Sequence, residues 1–218
     1  MTVQTNPADP RRLAARSASV ALFSNYPGKR GPRSILADSL DGVDREQLYP
    51  AIRALLQHED SVPRSAVGKT FERLNDRDLV VLLPDIVKAV EDLAPSNEMF
   101  GDGIRLAGLD LLSRLHIREG MALCLSVMEP ERWGEGKRTE ACLASLQRYG
   151  AHAKPLLPKL KEAREYLATE KRVSRERLAE FDQALAAIEA SSDEPSLVRI
   201  ADFQSRTAPL PNEAKETR

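Results

Sequence analysis

Apolar residues recur along the middle of this chain at three- and four-residue spacing. Leu106, Leu109, Leu112 and Leu115 form one such stripe, and Cys142, Leu143, Leu146 and Tyr149 form another. That spacing gathers side chains on one face of an α-helix. The pattern predicts helices over roughly 44–58, 63–74, 77–93, 102–115, 118–128, 137–149, 151–169 and 174–190. Turn chemistry separates them: His58-Glu59-Asp60-Ser61, Asn75-Asp76, Ala94-Pro95-Ser96-Asn97, Gly101-Asp102-Gly103, Glu129-Pro130 through Gly136, and Gly150. No stretch alternates as a strand would. Helices this short are marginal alone in water, so each must be held by packing on its neighbours.

The ends read differently. Residues 1–10 carry Pro7 and Pro10 and read as a flexible leader. A first helix is expected over 11–24, with Leu13, Val20, Leu22 and Phe23, capped by Asp9 or Asn6. Two prolines and two glycines make 25–34 a loop, and Ile35 to Leu40 a short helical turn. The helical domain is expected over 11–190. Residues 191–218, polar and bearing Pro195, Pro209 and Pro211, read as a tail with little fixed structure.

Three segments align on their prolines: Tyr49-Pro50-Ala51-Ile52-Arg53-Ala54-Leu55, Leu83-Pro84-Asp85-Ile86-Val87-Lys88-Ala89 and Leu157-Pro158-Lys159-Leu160-Lys161-Glu162-Ala163. Pro50 and Pro84 are 34 residues apart, and Pro84 and Pro158 are 74 apart, or two steps of 37. The intervening copy falls near Met121, within Arg118 to Met128, and lacks a proline. Each unit reads as a helix, a short turn, and a second helix with an early proline. A first turn tolerates proline because the amide it lacks has no intrahelical partner there. A period in the thirties with paired amphipathic helices is that of an α-solenoid.

Over roughly residues 44–169 the chain resembles the HEAT-repeat family. The likeness is closest in Tyr149-Gly150-Ala151-His152-Ala153-Lys154-Pro155-Leu156-Leu157-Pro158-Lys159-Leu160. It implies an all-α fold, a short right-handed α-solenoid of helical hairpins whose second helices line a concave face. An irregular helical bundle is the alternative arrangement. The resemblance says nothing about activity.

Composition agrees with helices. Aromatic residues make up 5% of the chain and charged residues 30%, whereas a β-sandwich favours β-branched and aromatic side chains. At 218 residues one domain is the natural expectation. The 32 basic and 33 acidic residues nearly cancel, so no whole-protein field draws in DNA or an anionic membrane. The longest apolar run, Leu79 to Leu83, is too short to span a bilayer. Met1 to Asn6 has no apolar core of a signal peptide. A soluble protein is expected, cytoplasmic by default and extracytoplasmic if a leader lies upstream. The two cysteines, Cys124 and Cys142, make no disulfide framework and read as small buried apolar groups.

Candidate chemistry is sparse. Gly68-Lys69-Thr70 invites comparison with a phosphate-binding loop, but the glycine that motif needs is replaced by Pro63 and no strand precedes it. The segment reads as a helix with Phe71 and Leu74 inward. His58, His116 and His152 stand in no ligand spacing, and a zinc site from His116, Cys124 and Cys142 lacks motif spacing. No nucleophile elbow is present, and no carboxylate stands out as a general acid. The sequence therefore assigns no catalytic, cofactor-binding or metal-binding residue.

The candidates for partner binding are charged or aromatic surface residues. Lys154, Lys159 and Lys161 cluster on one second helix, with Arg118 and Lys88 on others, all on the concave face if the HEAT resemblance holds. Arg30 lies in the basic loop Lys29-Arg30-Gly31-Pro32-Arg33. Trp133, the only tryptophan, sits in a glycine-bearing loop either as a cover for the seam between repeats or as a binding anchor. The function expected is a non-enzymatic helical-repeat interaction or scaffold module, or a piece of a larger multidomain protein, that meets a protein partner or a neighbouring domain. A HEAT-like nucleic-acid-binding or base-excision protein is the alternative. It would need a dense basic face with stacking aromatics, which one Trp and a net charge of −1 argue against.

Overall fold

The computed structural model describes Leu40 and residues 44–205. The expected leader, the helix over 11–24 and the loop with Arg30 lie outside the described residues. Nine α-helices follow one another among the described residues: α1 (Arg45–Leu56), α2 (Ser61–Val67), α3 (Asp76–Glu91), α4 (Asp102–Arg114), α5 (Glu119–Met128), α6 (Glu135–Arg148), α7 (Leu157–Thr169), α8 (Arg175–Ala190) and α9 (Ile200–Ser205). Short 3₁₀ segments, Gly68–Arg73, Glu98–Phe100 and Gly150–Leu156, join some of them. No strand occurs among these residues, so the protein is all-α.

Polar side chains set the helix starts. Asp44, Asp60 and Ser174 accept backbone N–H bonds ahead of α1, α2 and α8. Asn75 and Asp78 close a reciprocal capping box on α3. Proline behaves less uniformly than the sequence suggests. Pro158 lies in the first turn of α7, but Pro50 and Pro84 lie well inside α1 and α3. Both inner rings are exposed, so water can meet the carbonyls that each leaves without an intrahelical donor. The early-proline frame therefore holds only for α7.

The chain forms two compact units, meeting in sequence between Gly108 and Leu109, within α4. In the first, Ile52, Leu55, Leu82, Leu83, Ile86 and Val90 are completely buried. Arg45 pairs with Asp78 at 2.9 Å and Arg53 with Asp85 at 2.8 Å. The partners follow in the same order along both helices, so α1 and α3 run side by side in one direction. Glycines permit close crossings here. A Cβ on Gly68 would stand 2.9 Å from the Ala107 Cβ, and one on Gly108 would stand 2.2 Å from Val90 Cγ2. Gly68 thus serves helix packing, while Lys69 is exposed and Phe71 and Leu74 point inward.

In the second unit, Leu109, Leu112, Ile117, Cys124, Cys142, Leu146 and Tyr149 are buried. Arg164 pairs with Asp182 at 2.7 Å, and Lys161 lies 3.8 Å from Glu189. That order is reversed, so α7 and α8 are antiparallel.

The stretch 191–205 departs from the expected loose tail. The Val198 N–H donates to His116 O at 3.0 Å, and the Arg118 N–H donates to Val198 O at 2.9 Å. The Ala151 N–H donates to Asp193 O at 2.7 Å. The stretch is a strap across the turns before α5 and α7, anchored by buried Val198. Polar composition hid it because its hold is mostly backbone hydrogen bonding with one apolar anchor. Residues 206–218 lie outside the described residues.

Candidate functional site

A groove runs between α5 and α7. In its first part Arg118, Met121 and Ala122 face His152, Pro155 and Leu156, with Leu197 and Arg199 of the strap as an end wall. In its second part Leu125, Ser126 and Met128 face Lys159, Ala163 and Tyr166, with Glu131 and Glu162 also on its lining. The two parts measure about 680 and about 700 Å³ and share Ala122 and Leu156. Facing residues advance in the same order, so α5 and α7 run in one direction.

The α5 sequence makes the groove. Between Gly120 and Met128 every residue except Ser126 is apolar. Leu123, Cys124, Val127 and Met128 are buried, while Met121 and Leu125 are half-exposed and Ala122 is exposed. A helix apolar on all sides has more apolar surface than one packed face consumes. Arg199 pairs with Asp202 at 2.8 Å on the rim. Arg118 and Lys159 have no carboxylate partner among the described residues.

The structure divides the basic cluster the sequence suggested. Of Lys154, Lys159 and Lys161, only Lys159 lines the groove. Lys161 turns toward Glu189 on α8, and exposed Lys154 stands on the 3₁₀ segment before α7. Arg118 lines the groove at its other end. Lys88, on α3 in the first unit, borders a separate depression of about 230 Å³ with Arg64 and Asp92.

Trp133 does not cover a seam: it is 74% exposed. Its loop closes instead on Arg138, which is 1% exposed. The Arg138 guanidinium donates to the carbonyls of Arg132 at 2.8 Å, Trp133 at 3.1 Å and Glu129 at 3.2 Å. Five fixed N–H donors suit a ring of carbonyls in a way an indole cannot, so the indole is left outside. Met121, Leu125 and Tyr166 were missed as groove residues; the all-round apolarity of α5 was the available signal.

Behind the groove lie Cys124, Cys142 and Tyr149. The neighbouring Cys142 thiol and burial push the Cys124 thiol well up, which keeps it from acting as a thiolate. Burial, with Cys124 and Glu119 nearby, pushes the Tyr149 hydroxyl up as well. His152 Nε2 lies 3.0 Å from Pro195 O and helps fix the strap. His58 Nδ1 accepts from the Asp60 N–H at 2.9 Å. No cluster of three His, Cys, Asp or Glu side chains that could hold a metal occurs among the described residues. No helix among them is long and apolar enough to cross a membrane.

These features define an all-α protein with an apolar groove edged by charges of both signs. Compared with known proteins, the chain matches no family profile, no curated sequence and no solved structure.

Proposed function

We propose that this chain is a non-enzymatic helical-repeat interaction module, and that the α5–α7 groove receives an amphipathic segment of a protein partner or of a neighbouring domain. The observation that carries this reading is the pairing of apolar Met121 and Leu125 with Arg118 and Lys159, two cations without carboxylate partners among the described residues. An amphipathic helix would bury its apolar face on that floor, with a carboxylate brought to Arg118 or Lys159 and the rest of its flank kept clear of Glu131 and Glu162. The shared direction of α1 with α3, and of α5 with α7, supports a HEAT-like arrangement in which these are the second helices of successive hairpins.

The test is quantitative affinity capture of partners by the parent chain and two variants. Arg118→Glu with Lys159→Glu reverses the groove charges, and Lys88→Glu is the control in the other unit. A partner depleted about tenfold or more by the double variant and retained by the control supports the reading. A partner retained equally by all three removes the groove from consideration and shifts attention to exposed Trp133.

A further inference from the structure

We propose that the occupant of the α5–α7 groove is a second copy of this chain, which inserts its Met99 and Phe100 side chains; this names the partner of the docking site described above and rests on that reading. Three of the five large apolar side chains exposed among the described residues, Val62, Met99 and Phe100, stand together in the first unit. Met99 is 65% exposed and Phe100 50%. Both lie on the 3₁₀ segment Glu98–Phe100. Val62 lies on α2 one turn before Ser65, whose hydroxyl donates to the Phe100 carbonyl. Together they form an apolar knob of the kind that marks an interaction surface.

The backbone of this knob is fixed in advance. The Ser96 N–H donates to Glu59 O at 2.9 Å, and the Ser61 N–H donates to Ser96 O at 3.1 Å. Asn97, at a φ of 55°, donates from its side-chain amide to Asp60 at 2.8 Å. The Phe100 and Gly101 N–H groups close turns of 2.9 Å on Asn97 O and Glu98 O. Only side-chain rotamers are left to be ordered on binding, which lowers its entropic cost.

Charge selects the surface that receives the knob. From Glu91 to Gly103 the chain carries Glu91, Asp92, Glu98 and Asp102 and no lysine or arginine. Arg64, on α2 with Val62, is buried against the carbonyls of His58 and Asp92. The two halves of the groove differ in balance. Around Leu125 the lining sets Lys159 against Glu131 and Glu162. Around Met121 it sets Arg118 and Arg199 against Asp202, which Arg199 already pairs. Glu119, next to Arg118, accepts the Ile200 N–H of the strap. The half around Met121 therefore suits an apolar knob with acidic flanks: Met121, Pro155, Leu156 and Leu197 cover Met99 and Phe100, and exposed Arg118 meets a carboxylate. Knob and groove are different patches, so the contact is heterologous, and each copy offers its knob to the next.

The test is sedimentation velocity of the full chain from about 10 μM to about 1 mM, a range suited to a small interface. The sedimentation coefficient should rise with concentration, and the rise should shrink at high salt. Met99→Ser with Phe100→Ser, at exposed positions, should weaken association by about tenfold or more while circular dichroism and the melting temperature stay at parental values. Ala122→Trp, at an exposed position shared by both halves of the groove, should weaken it as much by filling the groove. Mixed together, these two variants should form a one-to-one dimer, because each supplies the surface the other lacks. A parent that stays monomeric, either variant associating as the parent does, or a mixture without dimer would overturn the proposal. A captured partner lost on Arg118→Glu with Lys159→Glu, alongside a monomeric parent, would keep the groove as a docking site and reject the second copy as its occupant.

Discussion

The Tyr149 hydroxyl donates a 2.8 Å hydrogen bond to the carbonyl of Ile117, and both residues are completely buried. The bond ties the end of α6 to the turn ahead of α5. Gly120 is shaped to it, since a Cβ there would stand 2.3 Å from the Tyr149 hydroxyl. Tyr149→Phe should cost about 1–2 kcal/mol, because the Ile117 carbonyl loses a buried partner. The folded state holds the phenol protonated, so its contribution is complete below the unfolded pKa of about 10 and is lost as pH rises above it. Denaturant titrations across the alkaline range should show a shallower decline for Tyr149→Phe than for the parent. An equally steep decline would show that Tyr149 does not supply the linkage.

Asp78 makes the opposite prediction. Burial raises its carboxyl pKa, but hydrogen bonds from Arg45, from Tyr49 and from the Asn75 N–H outweigh burial and hold it below the usual carboxylate range. A depressed folded pKa contributes stability that is present above the unfolded pKa of about 3.9 and lost as pH falls through the lower folded value. Asp78→Asn should cost about 1–3 kcal/mol at neutral pH and much less in strong acid. Urea midpoints measured at both pH values check this.

Gly108→Ala tests close packing against intrinsic preference. Alanine favours a helix over glycine by about 1 kcal/mol, yet its methyl group would meet Val90 Cγ2. Overpacking of this kind costs about 1–3 kcal/mol. The single variant should melt lower than the parent, and adding Val90→Ala should relieve the clash. Without that coupling in a double-mutant cycle, the close approach of α4 and α3 would be refuted.

Val198→Asp should release the strap. Val198 is 6% exposed and bonds to the turn ahead of α5 through its N–H and its carbonyl. A carboxylate cannot be buried there unpaired, at a cost of several kcal/mol, so the strap should detach. Hydrogen exchange should rise at Val198 and Arg118, and proteolysis should begin within 192–205, while Leu82 and Val90 in the first unit stay protected. Unchanged protection at Val198 would place the anchor elsewhere.

The helices themselves were legible in the chain. Leu109, Leu112 and Leu146 announce their burial by spacing alone, because a helix presents every third or fourth residue to one side. Asn75 and Asp78 likewise announce a helix start, since a cap is made within a few residues of sequence. Chemistry between distant segments was not legible. The destination of Lys161 depended on where Glu189 came to lie, and the exposure of Trp133 depended on Arg138 taking the loop carbonyls. The binding of residues 191–205 depended on backbone groups at His116 and Arg118, which every sequence supplies and none advertises. Spacing and capping are local, so the all-α class and most inward faces can be read along the chain. Grooves, straps and unpaired charges arise where separate helices meet, and no local pattern encodes which helices those are.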